Sequence, residues 1–159
     1  MRDKADSERT GFFPLFVDVR DKAVLVIGGG KVSERRVKAL IPFGARITVI
    51  SPTATDHIRS LAAQGAISLL ERKYRSGDIH SIEPLLVITA TDDRQVNHEA
   101  MMEAKNLNIL VSVADRREEC TCYFPAVAES EKYIAGIASK DGDHKGVKQM
   151  AEKIRKWMD

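Results

Sequence analysis

Three glycines in succession, Gly28-Gly29-Gly30, followed by Lys31-Val32-Ser33, are the residues of this chain whose types and spacing most clearly serve a chemical purpose. They come directly after the apolar run Ala23-Val24-Leu25-Val26-Ile27. They come directly before Val32, Val37, Leu40 and Ile41, which recur at roughly helical spacing. A glycine turn between a strand and a helix suits a dinucleotide for three reasons. The turn must be tight, the backbone must come within reach of a pyrophosphate, and the helix must pack closely on the strand. Gly28 and Gly30 meet the first two demands, and Ser33 is small enough to stand where a third glycine or an alanine is usual. The helix N-terminus adds free N–H groups and a partial positive charge for the phosphates. A turn used only for packing rarely requires three consecutive glycines.

The next strand, Ile47-Thr48-Val49-Ile50, ends in Ser51-Pro52-Thr53, with no acid until Asp56. A simple NAD site places Asp or Glu there to hold the ribose hydroxyls. Adenosine contacts therefore fall to hydroxyls or main chain around Pro52 and Thr53. No arginine stands immediately adjacent for a 2′-phosphate either, since Arg46 precedes the strand and Arg59 lies on the following helix. Residue chemistry leaves NAD against NADP open.

The elements that must position these residues alternate along the chain. After the second strand a helix is expected with Ser51 or Thr53 as N-cap, Ile58, Leu61 and Ala62 inward, and Gly65 past its end. Ile67 to Leu70 reads as a short strand and Glu71 to Glu83 as loop with at most one helical turn. Leu85 to Ala90 is the next buried strand. Asp92 and Gln95 have capping-box spacing before a helix carrying Val96, Ala100, Ala104 and Leu107. Ile109-Leu110-Val111 follows as a strand, then two extended segments, Tyr123 to Ala128 and Tyr133 to Ala138. A last helix gathers Val147, Met150, Ala151, Ile154 and Trp157 on one stripe. The expectation is an α/β fold, a Rossmann-type parallel sheet with helices on both faces, followed by a short β extension and a C-terminal amphipathic helix. Residues 1–10 are expected to be a disordered tail, 11–115 the nucleotide-binding domain, and 116–159 the extension.

Bulk composition narrows the classes. The 159 residues carry 43% hydrophobic and 30% charged residues, the balance of a globular protein. No apolar run approaches the ~20 residues of a spanning helix, and Met1 to Thr10 lacks the apolar core of a signal peptide. A net charge of +2 gives no argument for nucleic acid. Cys120 and Cys122 stand one residue apart, a spacing poorly suited to an intramolecular disulfide and short of a zinc site, as expected of reduced thiols in the cytoplasm. None of the four histidines has metal-ligand spacing with another histidine or a cysteine.

Ordered landmarks along the chain are more specific than the glycines alone. Phe13-Pro14-Leu15-Phe16, Val26 to Arg36, Gly44 to Val49, Thr89-Ala90-Thr91-Asp92-Asp93, Val96-Asn97, Val111 to Asp115 and Phe124-Pro125-Ala126 together resemble precorrin-2 dehydrogenase, the N-terminal module of sirohaem synthase. The resemblance implies NAD-dependent oxidation of precorrin-2 to sirohydrochlorin, in some members with ferrochelatase activity, by a cytoplasmic homodimer that binds neither nucleic acid nor membrane. It implies that Asp115 is the catalytic acid or base. A residue at the carboxyl end of a parallel strand does face the crevice where such sheets bind ligands, and a carboxylate ionised at neutral pH can accept a proton. Lys31 and Val32 match cofactor-contacting turn residues, Pro52 and Thr53 the adenosine-side loop, and Thr91 and Asp92 the approach to the nicotinamide half. Arg116, Ser139 and Lys140 are candidates for an acidic tetrapyrrole, and no metal ligands are expected.

Two departures stand beside the likeness. Lys140 to Gly146 replaces a glycine-rich approach to a Ser-Pro, and the chain stops at Asp159 where longer relatives continue into a dimer-forming helical region. The competing reading is a non-catalytic dinucleotide-binding regulatory module, although such modules usually keep the acid that follows the second strand.

Overall fold

A strand with no polar residue has no side to turn to water, because successive side chains alternate between faces. β1 (Ala23–Ile27) is such a strand, with Val24, Leu25 and Val26 fully buried. In the computed structural model, which describes residues 11–158, it is the central strand of five. The others are β2 (Arg46–Ile50), β3 (Ser68–Leu70), β4 (Leu86–Thr89) and β5 (Leu110–Val113), and the order is β3-β2-β1-β4-β5. Every pairing is parallel. The expected Rossmann-type α/β sheet is therefore what the sequence forms. The order reverses beside β1, which makes the carboxyl edge between β1 and β4 the crevice where such sheets hold ligands.

Register makes that edge level. Ile27 pairs with Ile50 on one side and Thr89 on the other, and Thr89 pairs with Val113. The strands are joined by α1 (Lys31–Leu40), α2 (Asp56–Ala63), α3 (Asp78–Ile82) and α4 (Arg94–Asn106). Leu25, Ile27, Ile50, Val87, Val111 and Val113 form one core cluster with Ile79 of α3 and Ala100, Met101 and Ala104 of α4. The intervening strand residues Val24, Val26 and Val49 are as deeply buried, as are Val37 of α1 and Ile58 of α2. The sheet is thus covered on both faces.

Two local details differ from expectation. The N-cap of α2 is Thr55, whose hydroxyl accepts from Ile58 N at 3.3 Å, rather than Ser51 or Thr53. The chain is first tied across the sheet edge, with Ser51 N donating to Leu70 O (3.2 Å) and Thr55 N to Gly29 O (2.9 Å), so the helix cannot begin earlier. The N-cap of α4 is Asp93, not Asp92, and it accepts from Gln95 N at 3.0 Å and Val96 N at 3.4 Å. A turn closed around Thr91 delays the helix by one residue.

The short helix α3 is the one helical turn expected in the Glu71 to Glu83 stretch. Its stability is non-local. The Glu103 carboxylate on α4 accepts from Gly77 N (2.9 Å), Ile79 N and His80 N (3.1 Å each), and from the Tyr74 hydroxyl. Burial works against the Glu103 charge, but these bonds outweigh it and hold the carboxyl below its usual range.

Contacts divide the described chain into a unit of residues 18–122, which contains the sheet, and a second of 11–17 with 123–158. The second unit holds the antiparallel hairpin β6 (Ala126–Glu129) and β7 (Ile134–Ile137), with α5 (His144–Met158) against β6. Arg155 donates to Val127 O at 2.5 Å, and the rings of Phe12 and Tyr123 stack with centroids 3.7 Å apart. Of the apolar stripe on α5, only Ala151 is buried; Trp157 is 87% exposed. The tail expected over residues 1–10 lies outside the described residues. Among the described residues no helix is long and apolar enough to cross a membrane.

Candidate functional site

The three glycines do different things. Gly28 has φ +116°, and a Cβ there would stand 2.3 Å from Ala90 O. Gly29 has main chain pressed against it from the other side: a Cβ would meet Thr53 O at 2.1 Å. Both are glycine because neighbouring backbone leaves no room. Gly30 has an ordinary φ of −83° and nothing within 4 Å of a Cβ. Its missing side chain leaves open space at the start of α1, where no side chain caps the helix. An uncapped helix terminus beside an open cradle fits a pyrophosphate, which would meet the first-turn N–H groups with Lys31 and Val32 at its edge. The residues present thus suit a dinucleotide.

Three adjacent strands deliver the rest of the edge. Gly28 N donates to Ile50 O (2.9 Å), Ala90 N to Ile27 O (2.8 Å) and Ala114 N to Thr89 O (2.9 Å). The glycine turn, the Thr91 turn and Asp115 consequently emerge side by side. Thr91 is fixed by the wholly buried Asn97, whose Oδ1 accepts from Thr91 N at 3.1 Å and whose Nδ2 donates to Thr91 O at 3.0 Å. Asp92 is exposed beside it. Pro52 and Thr53 are exposed on the adenosine-side loop, and Thr53 O abuts Gly29.

Asp115 is exposed just past β5, with the Arg94 guanidinium 3.5 Å from its carboxylate. Arg94 also binds Glu119, which His98 approaches at 3.3 Å. The Glu119 bond, followed by the Asp115 charge, holds Arg94 above the usual guanidinium range despite partial desolvation. Cys120 secures the loop that carries Asp115, its Sγ accepting from Val113 N at 3.1 Å. Thr121 runs back along β5, its hydroxyl accepting from Val111 N at 2.8 Å. Burial pushes the Cys120 thiol up and the Cys122 thiol up to about 12, which favours the protonated form of each.

Of the substrate candidates, Arg116 is exposed and lies 3.5 Å from Glu118. Ser139 and Lys140 belong to the hairpin-and-helix unit and follow β7. Sequence reasoning missed Arg94, Asn97, Glu119 and Glu34 as members of the site. Glu34 is nearly buried on α1, where its Oε1 accepts from Lys38 Nζ (2.9 Å) and its carboxylate lies near the Thr55 hydroxyl of the α2 cap. Its signal was a lone acid on an otherwise basic helix face. No local motif could pair Arg94 with partners 21 and 25 residues away.

A family model described as NAD(P)-binding matches residues 15–126. A multifunctional siroheme biosynthesis protein, HemA, of Ruminiclostridium josui is 45% identical over 92% of this chain and 28% of its own length. A siroheme synthase of Pseudoalteromonas atlantica is 38% identical over 80% of this chain and 27% of its own. The chain thus spans less than a third of the length of these curated relatives. Among solved structures, SirC, a precorrin-2 dehydrogenase, superposes with a TM-score of 0.74 at 25% identity, covering 93% of this chain and 72% of SirC.

Proposed function

The chain belongs to the NAD(P)-binding family, and from that premise and its likeness to the precorrin-2 dehydrogenase SirC we propose that it oxidises precorrin-2 to sirohydrochlorin. The observation that carries the proposal is the shared sheet edge: an open glycine cradle at β1 and an acid at β5, with one turn between them. NAD, when bound, supplies the hydride acceptor. The protein's part is to bind, orient and move one proton. Gly30 and the first turn of α1 hold the pyrophosphate, the Ser51–Thr55 loop borders the adenosine, and Asn97 fixes the Thr91 main chain for the reacting half. Asp115 takes the proton that leaves the tetrapyrrole as the hydride departs, and Arg94 keeps its carboxylate at the mouth of the crevice.

Arg116, Ser139 and Lys140 are proposed to receive the substrate's carboxylates. Basic groups steer such polyanions before contact. The reading extends to a cytoplasmic homodimer. The exposed Met150, Trp157, Tyr133 and Ile134 of the hairpin-and-helix unit support a partner surface there, and free half-buried thiols suit a reducing compartment.

Incubating the purified chain with precorrin-2 and NAD, and following absorbance as sirohydrochlorin forms, tests the proposal. Stoichiometric NADH and sirohydrochlorin are expected. Dinucleotide binding without turnover would instead favour the regulatory-module reading.

A further inference from the structure

The edge of the sheet supplies an acid and an arginine where the carboxyl end of β2 offers neither. Leu70, the last residue of β3, pairs with Ile50, the last of β2, and Ser51 N donates to Leu70 O at 3.2 Å. Glu71 therefore stands level with Ser51, one strand over from the position where a ribose-binding acid usually sits. From α2, Arg59 reaches back over the same loop. Its Nη1 donates to Ala54 O at 2.8 Å, while Nε and Nη2 each lie 3.0 Å from Glu71 Oε1. Ala54 and Thr53 are the residues whose main chain presses on Gly29. The guanidinium is thus fixed on the adenosine side of the cradle. Arg46, the other arginine near β2, is occupied at the opposite end of that strand, where Nε donates to Asp21 O at 2.9 Å.

We propose that the Arg59–Glu71 pair sets the choice between NAD and NADP, with Glu71 withholding Arg59 from the 2′-phosphate that distinguishes the two. This rests on the glycine cradle binding a dinucleotide. An arginine fork is the preferred partner of a phosphate. Here two of its donors already point at a carboxylate, and the carboxylate itself repels a 2′-phosphate. A ribose 2′-hydroxyl has no charge to repel and can donate to Glu71. Both side chains are about half exposed, at 46% and 52%, so a ligand can reach them. An exposed pair of this kind adds little to stability, so its removal leaves the fold in place.

Calorimetric titration of NAD and NADP into the full chain tests the assignment, with wild type, Glu71→Gln, Arg59→Ala and the double variant compared. Wild type is expected to prefer NAD. Glu71→Gln should narrow the NAD-to-NADP affinity ratio about tenfold, the scale of losing one like-charge repulsion and freeing one charged donor near the surface. The gain should fall on NADP, with NAD changed by about twofold at most. The double variant should lose that gain, because Arg59 provides it. An unchanged ratio in Glu71→Gln, a gain that survives in the double variant, or a wild type that favours NADP would each overturn the assignment. If folded wild type binds neither dinucleotide, the cradle reading falls and takes this inference with it.

Discussion

The glycine turn and the Asp115 cluster leave the same edge of one sheet, yet they are made of opposite materials. The turn is main chain packed against main chain: Gly28 against Ala90, Gly29 against Thr53, with Gly28 and Gly29 buried and only Gly30 open. The cluster is side chain against side chain on the surface, Asp115 to Arg94 to Glu119 to His98. A backbone-built site is fixed when the sheet forms, and altering it alters the fold. A side-chain-built site can be emptied while the fold stands. Stability and chemistry should therefore separate between the two regions.

The sharpest separation is expected at Asp115. Asp115→Asn keeps the shape and removes the proton acceptor, so kcat for precorrin-2 oxidation should fall by about 10²–10⁴, the range for general acid–base groups. Thermal stability and NAD affinity should stay near wild type, because the group is exposed. Steady-state kinetics alongside a melting curve would decide it, and a wild-type kcat would remove Asp115 from the mechanism.

The mirror image lies at Gly28. A methyl group there meets Ala90 O at 2.3 Å on a backbone of φ +116°. Gly28→Ala should cost about 3 kcal/mol through overpacking and strain, measurable by urea unfolding. Gly30→Ala divides the turn against itself. With nothing within 4 Å of its Cβ, it should change stability by no more than about 0.5 kcal/mol. It should still weaken dinucleotide binding about tenfold or more, because the methyl occupies the approach to the pyrophosphate. Wild-type affinity in Gly30→Ala would make the turn a packing device and collapse the contrast.

The same contrast explains what was legible in the sequence. The sheet and the turn depend on local pattern, an apolar run, three glycines, then helical spacing, whereas Asp115 was singled out through the family resemblance. What surrounds them depends on contacts between distant residues. Thr55 rather than Ser51 or Thr53 caps α2 because Thr55 N is tied to Gly29 O, and α3 exists because Glu103, on the following helix, caps it. Arg59 read as an ordinary helix residue until the fold turned it back to Ala54 O and Glu71. Periodicity reports which face a residue takes, not which remote partner waits there. The apolar stripe of α5 was read correctly as a stripe, but most of it remains uncovered within its own unit.

Glu34 joins the two kinds of construction, and it carries the smallest effect. It is a side chain, yet it stands beside the Thr55 cap whose N–H is bonded to Gly29 O. The neighbouring Thr55 hydroxyl and then Lys38, against burial, bring its carboxyl from 4.5 down to about 2. A folded-state value depressed in this way contributes stability in full above the unfolded value and loses it as pH falls. The window is therefore from about 4.5 down to about 2. Glu34→Gln should melt slightly lower than wild type at neutral pH and show a shallower fall in Tm across that window. Thr55→Ala, which removes the largest cause of the shift, should reproduce part of the same flattening while also losing about 1 kcal/mol of helix cap. Parallel wild-type and Glu34→Gln curves from pH 5 to pH 2 would leave the carboxylate no part in holding the cradle, and the glycine turn would then rest on main chain alone.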